Sequence, residues 1–239
     1  MHGLITSSIV AALLSGSAAV WVGRFAKTGT PPTPWHVVKY SNARPTTYRV
    51  ATVEGKMAVE AIVDSSMSLL ARPIKVDLAA SPVLCWSWLV EGPVKKADMT
   101  RKSGDDYAAR IYVAFDMPDS AIPGSAKLKL SMARAILGKN VPDAAVVYVW
   151  DNSHAVGTMR RSSYTDRSKL IVAESGASRS RQWVSERADL ASDFGKAFSN
   201  QPGTPTQIAI AADGDNTKSK GRAAFTNIHF VPRGQPCVV

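Results

Sequence analysis

The sequence predicts an all-β fold: an antiparallel two-sheet sandwich (jelly-roll-like) with one or two short inserted helices and an N-terminal apolar helix. Three observations predict it. Short apolar runs alternate with the period of a strand, turn residues separate these runs, and helices are too few to connect the strands of a parallel sheet. A length of 239 residues suits one large domain.

Seven runs have the pattern of strands. In residues 82–90, Trp86 and Trp88 fall on one face. Residues 144–151 are apolar throughout, which is typical of a strand that is covered on both sides. The other strand-like runs are 57–63, 109–116, 169–175, 207–213 and 226–232. The predicted core contains Trp86 or Trp88, Ile111, Val113, Phe115, Val147, Val149, Ile208, Ile210 and Phe230.

Two segments have the apolar spacing of helices. Residues 126–138 carry a stripe of Leu128, Met132 and Ile136, and residues 185–198 carry a stripe of Leu190, Phe194 and Phe198. Ser185 is in position to cap the second helix. We expect both stripes to pack on the sandwich.

The N-terminal segment differs from the rest of the chain. Residues 4–23 carry no charge and are predicted to form a helix, either a signal peptide cleaved after Ala19 or a membrane anchor. Residues 24–35 are predicted to be a proline-rich linker, and 36–235 the β-sandwich domain. The expected location is therefore outside the cytoplasm, in the periplasm or on the periplasmic side of the inner membrane.

The net charge narrows the class of partner. The net charge of +10 favours acidic partners, and basic residues form loose groups at 160–161, 179–181 and 218–222. No nucleic-acid-binding motif accompanies them, so nucleic acid is not an expected partner.

Of the two cysteines, Cys85 lies in an apolar run, which favours a buried free thiol over a bridge to Cys237.

Standard catalytic motifs are missing from the sequence. The four histidines are isolated, and no catalytic residue is predicted. Hydrolysis by paired carboxylates is the weakest of three hypotheses, with Glu174, Asp105 and Asp106 as its candidates.

The stretch ADGDNT follows an apolar strand and concentrates polar side chains. Asp213, Asp215 and Asn216 are candidate ligands of a structural calcium ion, because calcium prefers several oxygen ligands from a short loop. The same residues also build ordinary turns. In that alternative, the buried carboxylate of Asp213 needs an arginine or several N–H donors, and the candidate arginines are Arg110, Arg187 and Arg222.

Six blocks carry a family resemblance over about residues 35–231. They are CWSWLVE (85–91), GDDYAARIYVAF (104–115), VVYVWDN (146–152), IVAESG (171–176), QWVSERADLASDFGKAF (182–198) and AIAADGDNT (209–217). In this order they resemble a bacterial domain-of-unknown-function family, the one numbered three thousand and forty-seven. The family usually has a threonine where this chain has Gly214. The resemblance implies an exported β-sandwich and no known activity.

Two functions follow as the main hypotheses. The first is a non-catalytic binding module of the cell envelope for a glycan or another polar ligand, with Trp183, Tyr164, Asp105 and Asp106 as ligand contacts. The alternative is a membrane-anchored accessory or structural subunit that docks through its basic domain on an acidic protein surface of a larger membrane complex.

Overall fold

The computed structural model describes residues 18–137, 141–198 and 203–239. Within these ranges the chain forms two β-sheets of six and seven strands and two α-helices. The predicted all-β two-sheet sandwich is therefore confirmed.

The six-stranded sheet is built around one long strand, β13. Its strand order is β11-β6-β13-β4-β3, and β1 pairs with the second half of β13. All of these pairs are antiparallel. The strands are β1 (Val20–Gly23), β3 (Thr47–Val53), β4 (Lys56–Asp64), β6 (Val83–Val90), β11 (Val184–Asp189) and β13 (Lys220–Val231).

The seven-stranded sheet has the order β2-β5-β12-β7-β8-β10-β9. Its strands are β2 (His36–Lys39), β5 (Ser68–Pro73), β7 (Ala109–Asp116), β8 (Ala144–Asp151), β9 (Met159–Arg161), β10 (Ser168–Ser175) and β12 (Thr204–Ala211). One pair, β8 with β10, is parallel. The short strand β9 lies between them in the sequence and pairs antiparallel with the outer edge of β10.

The core lies between the two sheets, as the alternation predicts. Every residue of the predicted core is buried. Strand β8 is buried on both faces: Tyr148 and Trp150 point into the main core, whereas Val147 and Val149 belong to a separate cluster on the outer face. The loop between β6 and β7 covers that outer face with Met99 and Tyr107. This loop also leads to the candidate site.

Helix α1 (Gly124–Leu137) turns the predicted stripe away from the core. Leu128 and Met132 are exposed, and Leu130 is buried instead. Residues two positions apart on a helix lie on nearly opposite sides, so the burial of Leu130 directs both neighbours to solvent. The side chain of Ile136 lies outside the described residues.

The second predicted helix begins later than expected. Residues Val184–Asp189 form β11, which pairs with the edge of β6, and α2 spans Leu190–Phe198. The predicted cap at Ser185 is wrong. The carboxylate of Asp189 accepts a hydrogen bond from the Ser192 N–H at 3.0 Å and caps the helix in its place. The predicted packing is confirmed, because Leu190 and Phe194 are buried and Phe198 packs against the core.

The helix predicted over residues 4–23 does not include its last four residues. Residues 4–17 lie outside the described residues, but Val20–Gly23 form strand β1, and Trp21 stacks on His229 with ring centroids 4.4 Å apart. The segment 24–35 packs on the sandwich through buried Phe25 and Trp35, so it is not a free linker. Among the described residues, no helix is both long and apolar enough to cross a membrane.

A disulfide joins Cys85 of β6 to Cys237 of the C-terminal segment. The expected free thiol at Cys85 is therefore wrong. The buried position of Cys85 was predicted, but the C-terminal segment also passes this strand, which no local pattern indicates. The bridge closes a sequence separation of 152 residues.

We expect Phe194→Ala to lower the free energy of unfolding by about 3–5 kcal/mol, the usual cost of emptying a buried aromatic site. The Phe194 ring contacts Phe115 and Phe198, with centroids 4.6 and 4.8 Å away. Leu128→Ala is the matched control, and it should change the stability by less than about 0.5 kcal/mol because the side chain is exposed. Urea denaturation measures both values, and equal losses would contradict the helix packing described here.

Candidate functional site

A buried arginine organises one end of the sandwich. Arg110 of β7 donates a hydrogen bond from Nε to Asp213 Oδ1 at 2.8 Å and a second from Nη2 to Asp213 Oδ2. Its Nη1 lies 3.3 Å from Asp105 Oδ2, and its Nη2 also donates to the Asp105 carbonyl at 2.7 Å. The three side chains are almost fully buried. Arg110 is therefore the partner that Asp213 was expected to need.

Asp106 holds the end of the ADGDNT loop. Its carboxylate accepts hydrogen bonds from the Thr217 N–H and the Thr217 hydroxyl, both at 2.6 Å. It also accepts hydrogen bonds from the backbone N–H and the side-chain amide of Asn216, both at 3.3 Å. Asp106 is fully buried, and these four donors replace the water that it loses.

The charges in this cluster explain two pKa shifts. Burial alone would lower the pKa of Arg110, but Tyr112 and Asp105 outweigh it and raise the pKa above its ordinary value. Arg110 thus stays charged. Burial raises the pKa of Asp215, and the negative charge of Asp106 raises it further. Asp215 Oδ1 is buried and has no hydrogen-bond partner among the described groups.

Three carboxylates come close enough to share an ion. Ligand oxygens of Asp106, Asp213 and Asp215 all lie within 4.8 Å of one another. Of the predicted calcium ligands, Asp213 and Asp215 belong to this group. Asn216 instead uses its side-chain amide in hydrogen bonds to Asp106 and to the Asp105 carbonyl. Calcium binding remains a prediction, and it competes with Arg110 for Asp213.

A groove of about 1090 Å³ with both polar and apolar lining lies beside this cluster. Its walls are the loop after β6 at residues 99–102, the start of α1, residues 141–142, and the turn from β9 to β10 at residues 160–168. Hydroxyl side chains line much of it: Thr100, Ser162, Ser163, Thr165 and Ser168. The volume is slightly above the usual range for ligand pockets.

Tyr164 connects the groove to the buried cluster. Its ring lines the groove and is 58% exposed, and its hydroxyl donates a hydrogen bond to Asn216 Oδ1 at 3.4 Å. At the other end of the same turn, Arg167 Nε donates to the Asp143 carbonyl at 2.6 Å. The turn is therefore fixed at two points, and Asp106 positions one of them through Asn216.

The predicted ligand contacts divide into two groups. Tyr164 is in the groove wall, and Asp105 and Asp106 lie behind it in the buried cluster. Trp183 is elsewhere: it packs on the outer face of the six-stranded sheet, and its indole N–H donates to the carbonyls of Val53 and Glu54 at 3.1 and 3.2 Å. These contacts give Trp183 a structural partner that the sequence did not indicate.

The sequence did not predict the basic lining of the groove. Lys102, Arg160 and Arg161 all line it, although only the pair 160–161 stood out in the sequence, as one of several loose basic groups. They come from segments far apart in the chain, so no local pattern brings them together.

The carboxylate candidates for hydrolysis are all engaged by the protein. Glu174 pairs with Arg179 at 2.8 Å, and Asp105 and Asp106 have the partners described above. Glu186, which the sequence did not single out, accepts a hydrogen bond from the Trp88 indole at 3.2 Å. Burial raises the pKa of Glu186 to about 7.

We expect Asp213→Ala to destabilise the domain by about 3–5 kcal/mol, because it leaves the buried charge of Arg110 without its main partner. Asp215→Ala should cost much less, since it removes a carboxylate whose burial and proximity to Asp106 already disfavour its charge. Urea denaturation of both variants checks the order, and an equal or reversed order would contradict the Arg110 account.

Chelation tests the metal alternative with the same proteins. If calcium occupies the three carboxylates, EDTA lowers the melting temperature of the wild type, and Asp213→Ala no longer responds. An unchanged melting temperature in EDTA leaves the arginine pairing as the complete account of the loop.

Three solved structures are similar to the chain over most of its length. The K3 adhesin domain of Lys-gingipain from Porphyromonas gingivalis w83 has a TM-score of 0.41 and 10% identity, and the match covers 90% of this chain and 99% of that one. A xylan-binding module, CBM15, has a TM-score of 0.33 and 9% identity, with 84% and 92% covered. The xyloglucanase domain of NopAA from Sinorhizobium fredii has a TM-score of 0.33 and 12% identity, with 90% and 91% covered. Likenesses this distant carry no argument about ligand or activity.

Among curated proteins, none matches the chain significantly. A family model does match: the family described as protein of unknown function (DUF3047) aligns with residues 33–229. This range contains the six blocks that indicated the resemblance, both sheets except β1 and the end of β13, and the whole groove. The match covers well over half of the chain, so this protein belongs to the DUF3047 family.

Proposed function

We propose that the chain is a non-catalytic β-sandwich binding module of the cell envelope and that its ligand is a glycan held in the groove. The observation that carries the proposal is the exposed ring of Tyr164 in a wall otherwise rich in hydroxyl and charged side chains.

The chemistry of this lining matches that of a sugar. A sugar ring has an apolar face of C–H groups and a rim of hydroxyls, so it is bound by an aromatic ring together with directional polar groups. Tyr164 offers the ring, and Thr100, Ser162 and Ser163 offer donors and acceptors nearby. The two anchor points of the turn support preorganisation, because a fixed wall loses little entropy when a ligand binds.

Two observations support a location in the envelope. A disulfide between Cys85 and Cys237 suits an oxidising compartment outside the cytoplasm. Strand β1 begins at Val20, immediately after the cleavage point expected at Ala19, so removal of a signal peptide there leaves the sandwich intact.

The alternative of an anchored accessory subunit has less support. It relied on an uncharged helix that extends to Gly23, but β1 uses the last four of those residues. The stretch from residue 4 to residue 19 is shorter than the roughly 20 residues that usually span a bilayer. Among the described residues, no further observation favours an acidic protein surface as the partner.

We expect Tyr164→Ala to weaken glycan binding about tenfold, because the substitution removes the stacking surface. Tyr164→Phe is the matched control: it keeps the ring and loses the hydrogen bond to Asn216, so it should weaken binding clearly less than Tyr164→Ala does. Affinity gel electrophoresis against a panel of neutral and acidic polysaccharides measures the effect. Migration of the wild type unchanged by every polysaccharide would refute the function.

We expect the protein recovered from the periplasm to begin at Val20 and to contain no free thiol. The reasons are the strand that begins at this residue and the disulfide. Intact mass before and after thiol alkylation checks both. A reduced, unprocessed protein in the soluble cytosol would contradict export, and an uncleaved protein in the membrane fraction would favour the anchored subunit.

A further inference from the structure

We infer that the groove selects acidic glycans, that is, sugar chains that bear carboxylate or sulfate groups. This inference rests on the proposed function and specifies its ligand class. Five basic residues line the groove, Arg101, Lys102, Arg160, Arg161 and Arg167, and Asp166 is the one acidic residue among its lining residues. Charges of one sign that converge on a concave surface raise the local concentration of ligands of the opposite sign.

Three of these cations have no carboxylate partner among the residues that the structure describes. Arg101 pairs with Asp98 at 3.0 Å, and Arg167 donates to a backbone carbonyl, so both have structural partners. Lys102, Arg160 and Arg161 form no ion pair with any described carboxylate. Elsewhere, exposed arginines such as Arg49, Arg179 and Arg222 are paired with glutamates. Lys102, Arg160 and Arg161 therefore keep their charges available to a ligand in the groove.

The position of one cation relative to the aromatic ring fits a charged sugar. The Lys102 ammonium lies 5.4 Å from the centroid of the Tyr164 ring. A sugar stacked on this ring therefore has a cation within reach of a substituent on its rim. Arg160 and Arg161 add planar guanidinium groups, which bind a carboxylate or a sulfate through two parallel hydrogen bonds.

Acidic glycans fit the lining better than nucleic acid does. Proteins that hold single strands present several aromatic rings for successive bases. Among the described residues that line this groove, Tyr164 is the one aromatic side chain, whereas five are hydroxyl-bearing serines and threonines. Hydroxyls complement the repeated hydroxyls of a sugar chain.

The test compares two double variants that remove the same charge. Arg160→Gln with Arg161→Gln removes two cations from the groove, and Lys95→Gln with Lys96→Gln removes two exposed cations that do not line it. The probes are polygalacturonate, alginate and dextran sulfate, with methyl-esterified polygalacturonate and dextran as neutral counterparts. Binding is measured by affinity electrophoresis and calorimetry at low and high salt, and circular dichroism confirms that each variant is folded.

We expect the wild type to bind an acidic probe at least tenfold more tightly than its neutral counterpart at low salt. The arginine variant should lose at least tenfold on that acidic probe, and the lysine variant less than about twofold. Salt near 1 M, which shortens the screening length to about 3 Å, should remove most of the preference. Retardation of the protein by the carboxylate polymers alone indicates that the groove binds carboxylate groups. Retardation by dextran sulfate alone indicates that it binds sulfate groups.

Three results would overturn the inference. Equal binding of acidic and neutral probes removes the charge selectivity but leaves a glycan-binding module in place. Equal losses in the two double variants place the selectivity outside the groove. Tighter binding of a single-stranded oligonucleotide than of every acidic glycan at the same salt assigns the groove to nucleic acid. Failure to bind any polysaccharide, acidic or neutral, refutes the proposed function itself.

Discussion

The buried ion pair between Arg110 and Asp213 is the interaction on which the candidate site depends. A charge removed from water is costly unless its partner is well placed, and here one guanidinium joins strand β7, the loop before it and the loop after β12. Neighbouring Asp106 then holds Asn216, and Asn216 holds the hydroxyl of Tyr164. Hydrogen bonds through Asn216 and Asp105 therefore link Tyr164 in the groove wall to the buried ion pair.

This arrangement gives the acidic residues of the site a different role from the one their sequence indicates. Adjacent carboxylates at 105–106 and 213–215 look like a surface for ligands or metals, but three of the four are almost fully buried. They bind the backbone and one arginine, and they determine where the loops lie. The groups that face the groove are mostly basic and hydroxyl-bearing. In the proposed binding module, the ligand contacts would therefore come from the turn at residues 160–168 and the loop at 99–102.

The strands of the core were predictable because burial imposes a period of two on the sequence. Elements whose conformation depends on pairing with a distant part of the chain were not predictable. Residues 185–189 have polar positions that suit a helix start, but they pair with β6, and the hydroxyls of Ser87 and Ser185 meet at 3.0 Å. The pairing of Asp213 with Arg110 followed from the cost of burying a charge. The groove did not follow, because its lining comes from four separate stretches of the chain between residues 99 and 168, none of which has a pattern of its own.

Both ends of the described chain attach to the same sheet. Strand β1 pairs with β13, and the C-terminal segment is bridged to β6, the other neighbour of β13. The groove is built on strands of the opposite sheet, β8, β9 and β10. A domain with this polarity can be tethered at either terminus, to a surface, a label or another domain, through the sheet that does not carry the groove. The same polarity makes the domain suitable for display, since immobilisation through either end leaves the groove unobstructed.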